Sequence, residues 1–516
     1  MPDFGPESPF LPEILALHAR WQPAKAALVV GDETVSWAEL DAETNRVANG
    51  LKARGIGPGD FVAIVMKNGR AMPEVLLGIM KAGACSVPLN LSITDAAVAA
   101  MIKDCGAKLI FATADQTPRV DAIGDALTPE QAENRICAGD AAGWEDYESW
   151  KSAQPDQPPG IEVPGDAPCN VIYSSGTTGM PKGIVHTHQG RLDWAYDCGL
   201  AFRYHADTRT ICTIGLYSNI MWLNMLCTAL AGGTLIIHDR FDANEAIADI
   251  TKQRVTHTAM VPIQFQRMVE AGATADQLAS FECAITVGSK MHADLKKTML
   301  ALMPDALYEL YGLTEGIITI QEPQEAVRNP ESVGRPILGC DIKIVGDDNR
   351  EVPQGASGEI VSRARYIMPG YLNRAQATEE AQWRDDQGRI WLRTGDMGRL
   401  DEEMNLYIVD RKKDMILSGG QNIYPADIEA ILLTHPEVND AAVIGVPSKK
   451  WGETPLAVVV RESGAALEAE ALLGWTNGQL GKQQRIADVC FVDELPRNPN
   501  GKVLKRELRQ QFSEEP

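Results

Sequence analysis

The stretch Tyr173 to Gly183, Y-S-S-G-T-T-G-M-P-K-G, sets four Ser and Thr hydroxyls, three glycines and one lysine between two apolar segments. Backbone N–H groups and hydroxyls turned toward one point, with the Lys182 ammonium beside them, make a cradle for an anion such as phosphate. It is not a P-loop of the G-x-x-x-x-G-K-[ST] kind. Lys182 stands between Pro181 and Gly183, and neither Gly481-Lys482 nor Gly501-Lys502 is followed by Ser or Thr. A flexible surface turn has the same composition, so the rest of the chain must decide between the two.

The cradle needs a frame. Asn170 to Tyr173 reads as a short strand leading into it, after a Pro- and Gly-rich connection over Gln154 to Gly165. Upstream, Val35 to Arg54 is expected as a helix, with Ser36 and Glu39 as a capping box and Trp37, Leu40, Val47 and Leu51 on one stripe. Strands are expected at Phe61–Met66, Cys85–Leu89, Ala107–Phe111, Leu235–Ile237, Thr258–Val261 and Cys283–Val287, the first two flanking a helix over Pro73–Ala82. This alternation predicts an α/β fold, a large N-terminal domain of helix-layered sheets. Past Gly334, short strands at Asp341–Val345, Gly358–Ser362 and Leu406–Val409 suggest a small β-rich subdomain. Beyond Asp410 a compact α+β pattern follows, so the expected division is 1–410 and 411–516.

Composition narrows the partners. With 48 basic and 70 acidic residues among 516, the formal charge is −22. Nucleic acid and anionic membrane, both bound through positive surface, are disfavoured. An anionic ligand must then be met by local donors, which the cradle supplies. Ten cysteines without a C-x-x-C pair read as buried thiols in a reducing cytoplasm. The acidic, Pro-broken start M-P-D-F-G-P has no signal-peptide order. Ile211 to Ile237 is uncharged and long enough to span a bilayer, but its asparagines and Gly232-Gly233 suit strand, loop, helix, strand better, so no transmembrane segment is expected.

Four further clusters follow the cradle: Y-G-L-T-E at Tyr311–Glu315, R-T-G-D at Arg393–Asp396, D-R-K-K-D-M-I-L-S-G-G-Q-N-I-Y-P at Asp410–Pro425, and N-G-K at Asn500–Lys502. Together, in this order, they resemble the adenylate-forming superfamily of acyl-CoA synthetases, adenylation domains and luciferases, over essentially the whole chain. The resemblance implies a ligase in which a carboxylate attacks the α-phosphorus of ATP, giving acyl-AMP and pyrophosphate, after which a thiol displaces AMP. It implies ATP, magnesium and CoA as cofactors, with Ser174, Ser175, Gly176, Thr177, Thr178, Gly179 and Lys182 at the β- and γ-phosphates. Thr314 would meet the α-phosphate and Glu315 would be the magnesium-side carboxylate. Gly288 and Tyr311 would adjoin the nucleotide, Asp396 would grip the ribose diol, and Arg411 would be a second nucleotide contact. Lys502 would be the catalytic lysine of a mobile C-terminal lid, bridging carboxylate and phosphate oxygens. Lys413 would be the hinge, Gly419 and Gly420 part of a thiol tunnel, and Trp451 a residue along the CoA path.

By the same resemblance the acyl pocket draws on Gly215–Trp222, Val287–Ser289 and Tyr311–Gly312, with Tyr217, Met221, Trp222, Val287 and Gly312 as substrate residues. The first stretch has no Asp to pair an ammonium, which disfavours amino acids because a buried unpaired ammonium is costly. An apolar acid remains, aryl or short-to-medium in chain length. Thr286–Met291, T-V-G-S-K-M, departs from the small-residue run common in the family, and Lys290 is unusual there. His186 and His188 flank the cradle as structural groups. A carrier-protein thiol as acceptor and an inactive nucleotide-binding regulator stay open as alternatives, as does a homodimer.

Overall fold

The computed structural model describes residues 10–174, 181–411, 414–418, 421–448, 452–481, 484–497 and 501–512. The chain falls into two compact units. The first comprises 1–328, 336–341 and 363–382; the second comprises 329–335, 342–362 and 383–516.

In the first unit a seven-stranded sheet forms from the strands expected early in the chain. Phe61–Val65 lies between Cys85–Pro88 and Leu109–Thr113, all parallel, and Cys85–Pro88 in turn pairs with Pro168–Ser174. These strands read as unbroken apolar runs because both faces are covered. Pro168–Ser174 turns back on Lys182–Thr187 as an antiparallel hairpin, Ser174 opposite Lys182 and Tyr173 opposite Gly183. The two ends of the cradle are thereby fixed to a buried sheet. A second sheet carries Arg209–Cys212, His257–Met260, Cys283–Thr286 and Leu307–Leu313 as parallel neighbours, closed by the antiparallel strand Ile317–Gln321.

The capping box forms as expected, with Ser36 N–H donating to Glu39 Oε2 at 2.7 Å and Glu39 N–H to Ser36 Oγ at 3.2 Å. The helix is Trp37–Ala53, however, because Val35 and Ser36 belong to the strand Glu33–Ser36, which pairs with Ala26–Val30. The uncharged stretch resolves into strand Arg209–Cys212, helix Asn219–Ala231 and strand Thr234–Ile237. Among the described residues no helix is long and apolar enough to cross a membrane. All ten cysteines are free thiols, eight of them buried.

In the second unit, Ile390–Leu400 pairs antiparallel with Gly358–Ala364 on one side and with Leu406–Arg411 on the other. The C-terminal α+β portion has the strands Val438–Ser448 and Gly452–Arg461 at its centre, with Asp488–Val492 parallel to the latter. Helices Pro425–Leu432 and Ala469–Gln479 bury Ile428, Leu432 and Leu472 in its core.

Candidate active site

Y-G-L-T-E is the corner of a β-hairpin. Tyr311, Gly312 and Leu313 end the strand Leu307–Leu313 and pair with Thr319, Ile318 and Ile317, leaving Thr314, Glu315 and Gly316 as the turn. Two glycines have steric causes. A Cβ on Gly312 would lie 2.5 Å from the Ile317 carbonyl oxygen, and Gly316 has φ +126° with the Ile367 backbone 2.7 Å from where a Cβ would stand. The turn thus holds Thr314 and Glu315 half-buried at the end of a buried sheet.

The cradle hairpin and this corner meet through Tyr371, a residue that sequence reasoning passed over. Its hydroxyl donates to Glu315 Oε1 at 3.0 Å, and the Lys182 ammonium stands 4.8 Å from the centre of its ring. Its backbone bridges Ile184, while Leu372 N–H donates to the Gly183 carbonyl at 2.7 Å and Met368 N–H to the Glu315 carbonyl at 2.9 Å. Burial first, and the Glu315 charge second, hold the Tyr371 phenol well above its ordinary range. It therefore stays a proton donor to the carboxylate at any neutral or moderately alkaline pH. The only hint in the sequence is Gly370-Tyr371 in a segment without apolar period, which is too weak a signal to single it out.

The residues 175–180, including Ser175, Gly176, Thr177, Thr178 and Gly179, lie outside the described residues; Ser174 closes its strand opposite Lys182. Val287 is buried, and its N–H donates to the Met260 carbonyl at 3.1 Å; Gly288 follows, exposed, with φ +97°.

The stretch Gly215–Trp222 wraps into the helix Asn219–Ala231. Leu216 N–H donates to Asn68 Oδ1 at 2.9 Å, and the Trp222 indole N–H to the Leu216 carbonyl at 3.0 Å. Met221 and Trp222 are wholly buried in the main hydrophobic core, whereas Tyr217 is half-buried with its ring across Gly215, burial raising its phenol. His186 and His188 are buried, and burial lowers both, His188 to about 4. Neutral imidazoles at these places fit the structural role expected of them.

In the second unit, Asp396 and Arg411 are direct cross-strand partners. The structure so brings together the two residues expected at the nucleotide, and Asp396 is buried, its N–H donating to Thr394 Oγ1 at 3.1 Å. Asp410 Oδ2 accepts the Ala426 N–H at 3.1 Å, tying the end of that strand to the helix Pro425–Leu432. Lys502 is half-buried, between Gly501 at φ +75° and Val503, which bridges Arg497, and two residues later the helix Lys505–Phe512 begins. Lys413, Gly419, Gly420 and Trp451 lie outside the described residues. Among the described residues no group of three or more His, Cys, Asp or Glu forms a metal cage. A single carboxylate such as Glu315 suits magnesium that arrives with phosphate oxygens and water.

This fold is that of an adenylate-forming enzyme: ATP-bound MatB from Rhodopseudomonas palustris superposes with a TM-score of 0.89 at 27% identity, over 98% of this chain and 99% of that one. The chain belongs to the AMP-binding enzyme family, whose pattern matches residues 15–372, with the AMP-binding enzyme C-terminal domain at 427–502. It is 34% identical to a long-chain-fatty-acid–CoA ligase of Mycobacterium tuberculosis over 93% of this chain and 94% of that protein. It is also 34% identical to the indoleacetate–CoA ligase of Aromatoleum aromaticum over 97% and 98%. It is an acid–thiol ligase of the adenylate-forming kind, using ATP and CoA.

Proposed function

We propose that the chain activates an apolar carboxylic acid, aryl or short-to-medium in length, as acyl-AMP and passes the acyl group to CoA. The observation that carries this reading is the meeting of Lys182 and Glu315 on the two faces of Tyr371's reach, one cation and one carboxylate held by the same side chain. Phosphoryl-type transfers need charge placed on the phosphates and an in-line approach more than they need covalent help. Lys182 supplies positive charge beside the cradle, Thr314 a hydroxyl at the corner, and Glu315 a hard oxygen. Magnesium, when bound, would neutralise phosphate charge at Glu315. A carboxylate oxygen of the acid attacks the α-phosphorus, the bond to the bridging oxygen breaks, and pyrophosphate leaves. No general base is required, since the acid is already ionised. In the second half-reaction the CoA sulfur attacks the acyl carbonyl, and AMP departs.

The remaining roles rest on the resemblance. Asp396, with Arg411 as its cross-strand neighbour, accepts the ribose hydroxyls. Lys502 bridges acid and phosphate oxygens in the first step, Lys413 is the hinge of the C-terminal domain, and Gly419, Gly420 and Trp451 line the thiol's approach. The acyl reading is supported by the uncharged, partly buried Gly215–Trp222 stretch and, for an aryl acid, by relatives named for indoleacetate and for feruloyl-CoA, whereas the relative named for long-chain fatty acids points to a longer chain. A second reading, transfer to a carrier-protein thiol, is favoured by one relative at 31% identity, a fatty acid–[acyl-carrier-protein] ligase of Streptomyces coeruleorubidus.

The test is pyrophosphate release with ATP across a panel of apolar acids, with CoA or a pantetheinylated carrier as acceptor. CoA-dependent turnover that collapses in Lys502→Ala supports the assignment. Turnover only with the carrier would replace the acceptor, and an undiminished Lys502→Ala rate would remove that lysine from the mechanism.

A further inference from the structure

Beside the acyl stretch lies a cation that the reaction does not use. Arg191, on the helix His188–Ala201, is only 1% exposed, and among the described residues no carboxylate pairs with it. Its guanidinium carbon stands 4.7 Å from the Trp194 ring centre and 5.2 Å from that of Trp222. Its Nε donates to Asn170 Oδ1 at 2.7 Å and its Nη2 to Asn219 Oδ1 at 2.9 Å. Burying a guanidinium without a counter-charge is costly, and indole faces and neutral amide oxygens offset only part of it. Burial lowers this guanidinium to about 9, the direction expected of a cation short of compensation. Around it the buried Asn170 Nδ2 and His186 Nε2 have no hydrogen-bond partner among the described residues.

The consequence falls on Asn219. A guanidinium has only donors, so the amide oxygen of Asn219 must face Arg191 and its NH₂ must face away. That NH₂ makes no hydrogen bond within the described residues, and Asn219 is half-buried in the first turn of the helix that begins within the acyl stretch. We propose that Arg191 is a positioning residue that fixes Asn219 as a hydrogen-bond donor to the acyl substrate, so that the acid is apolar but for one oxygen acceptor, a ketone or hydroxyl, remote from its reacting carboxylate. This rests on the assignment of Gly215–Trp222 to the acyl pocket. The uncompensated positive charge behind the amide strengthens its donor and disfavours a purely hydrocarbon occupant, because an unmet donor is then left desolvated.

The experiment compares two matched pairs, hexanoate with 5-oxohexanoate and 3-phenylpropanoate with 3-(4-hydroxyphenyl)propanoate, in ATP- and CoA-dependent pyrophosphate release. Wild type is expected to favour the acceptor-bearing member of at least one pair by about fivefold or more in kcat/KM, the range of one neutral hydrogen bond. Asn219→Leu should bring that ratio to near one. Asn219→Asp, which keeps the bond to Arg191 but presents no donor, should bring the ketone pair's ratio below one, whereas the phenol of the second pair can itself donate to the carboxylate, so Asn219→Leu alone reads that pair; the KM for ATP stays put in both variants. A wild-type ratio near one, no turnover of either acceptor-bearing acid, or a ratio preserved in both variants overturns the proposal. If both variants lower kcat/KM equally for the two members of a pair, the acyl stretch stands and only the acceptor falls. If neither variant alters any acyl kcat/KM, the assignment of the stretch falls with it.

Discussion

Replacing Tyr371 by Phe removes one oxygen and little else. The ring remains, so the Lys182 ammonium keeps its 4.8 Å contact, worth roughly 0.5–1 kcal/mol at a partly exposed site. The backbone links from 368–372 to Gly183 and Glu315 do not involve the side chain. What is lost is the 3.0 Å hydrogen bond to the Glu315 carboxylate. Bonds to charged groups contribute about 1.5–3 kcal/mol, and for a half-buried pair the lower figure applies. If that carboxylate must be held in place when the phosphates bind, about 1.5 kcal/mol becomes a roughly tenfold loss in kcat/KM for ATP. The measurement is pyrophosphate release against ATP at several magnesium concentrations, paired with calorimetric titration of ATP with and without magnesium. The expected result is weaker binding only when magnesium is present, with the acid's KM unchanged. Because burial keeps the wild-type phenol protonated, the ratio of wild type to variant should be flat from pH 7 to 9. A change below twofold, or an equal loss with and without magnesium, would refute the positioning role.

Lys502→Ala should slow acyl-AMP formation by several powers of ten while CoA-dependent consumption of supplied acyl-AMP continues; an equal loss in both halves would contradict its assignment to the first step. Asp396→Asn should raise the KM for ATP about tenfold or more, the cost of weakening a charged acceptor, and leave the acid's KM alone. Gly312→Ala, whose Cβ would sit 2.5 Å from a backbone oxygen, should lower thermal stability as well as activity, since the hairpin must open to admit it. Stability should also fall below pH 6.5. His188 and His257 are lowered to about 4 by burial, so the unfolded chain takes up more protons, and between pH 7 and 5 each removes up to about 2 kcal/mol. His188→Gln should flatten that slope in urea unfolding followed by tryptophan fluorescence.

The sheets were legible where apolar runs met turn signals. Phe61–Val65 and Cys85–Pro88 were anticipated to within a residue because buried parallel strands leave no other way to read F-V-A-I-V and C-S-V-P. The Val35 end of the first long helix was misplaced because V-S precedes a helix cap and ends an edge strand equally well. The sequence also showed the polar corners, since Y-G-L-T-E and R-T-G-D concentrate unusual residues in short runs. It could not show burial of charge. Nothing in H-Q-G-R-L-D-W distinguishes Arg191 from a surface arginine, and only the packing of two helices reveals that Trp194 and Trp222 flank it.

The same limit explains Tyr371, and it bears on how the site is held. The cradle hairpin belongs to the seven-stranded sheet and the Glu315 corner to the other, so no ladder of one sheet sets the distance between them. The segment from Met368 to Leu372 does so instead. Met368 and Tyr371 grip the corner, through backbone to backbone and through hydroxyl to carboxylate, while Gly370 and Leu372 bond to Val185 and Gly183 beside the cradle. Four hydrogen bonds over five residues thus couple two sheets between Lys182 and Glu315. Such a strap requires backbone groups in register and one aromatic donor of the right length, neither of which produces hydrophobic period or charge pattern. Motifs mark the two ends of this site, and the residue that joins them is visible only once both sheets are built.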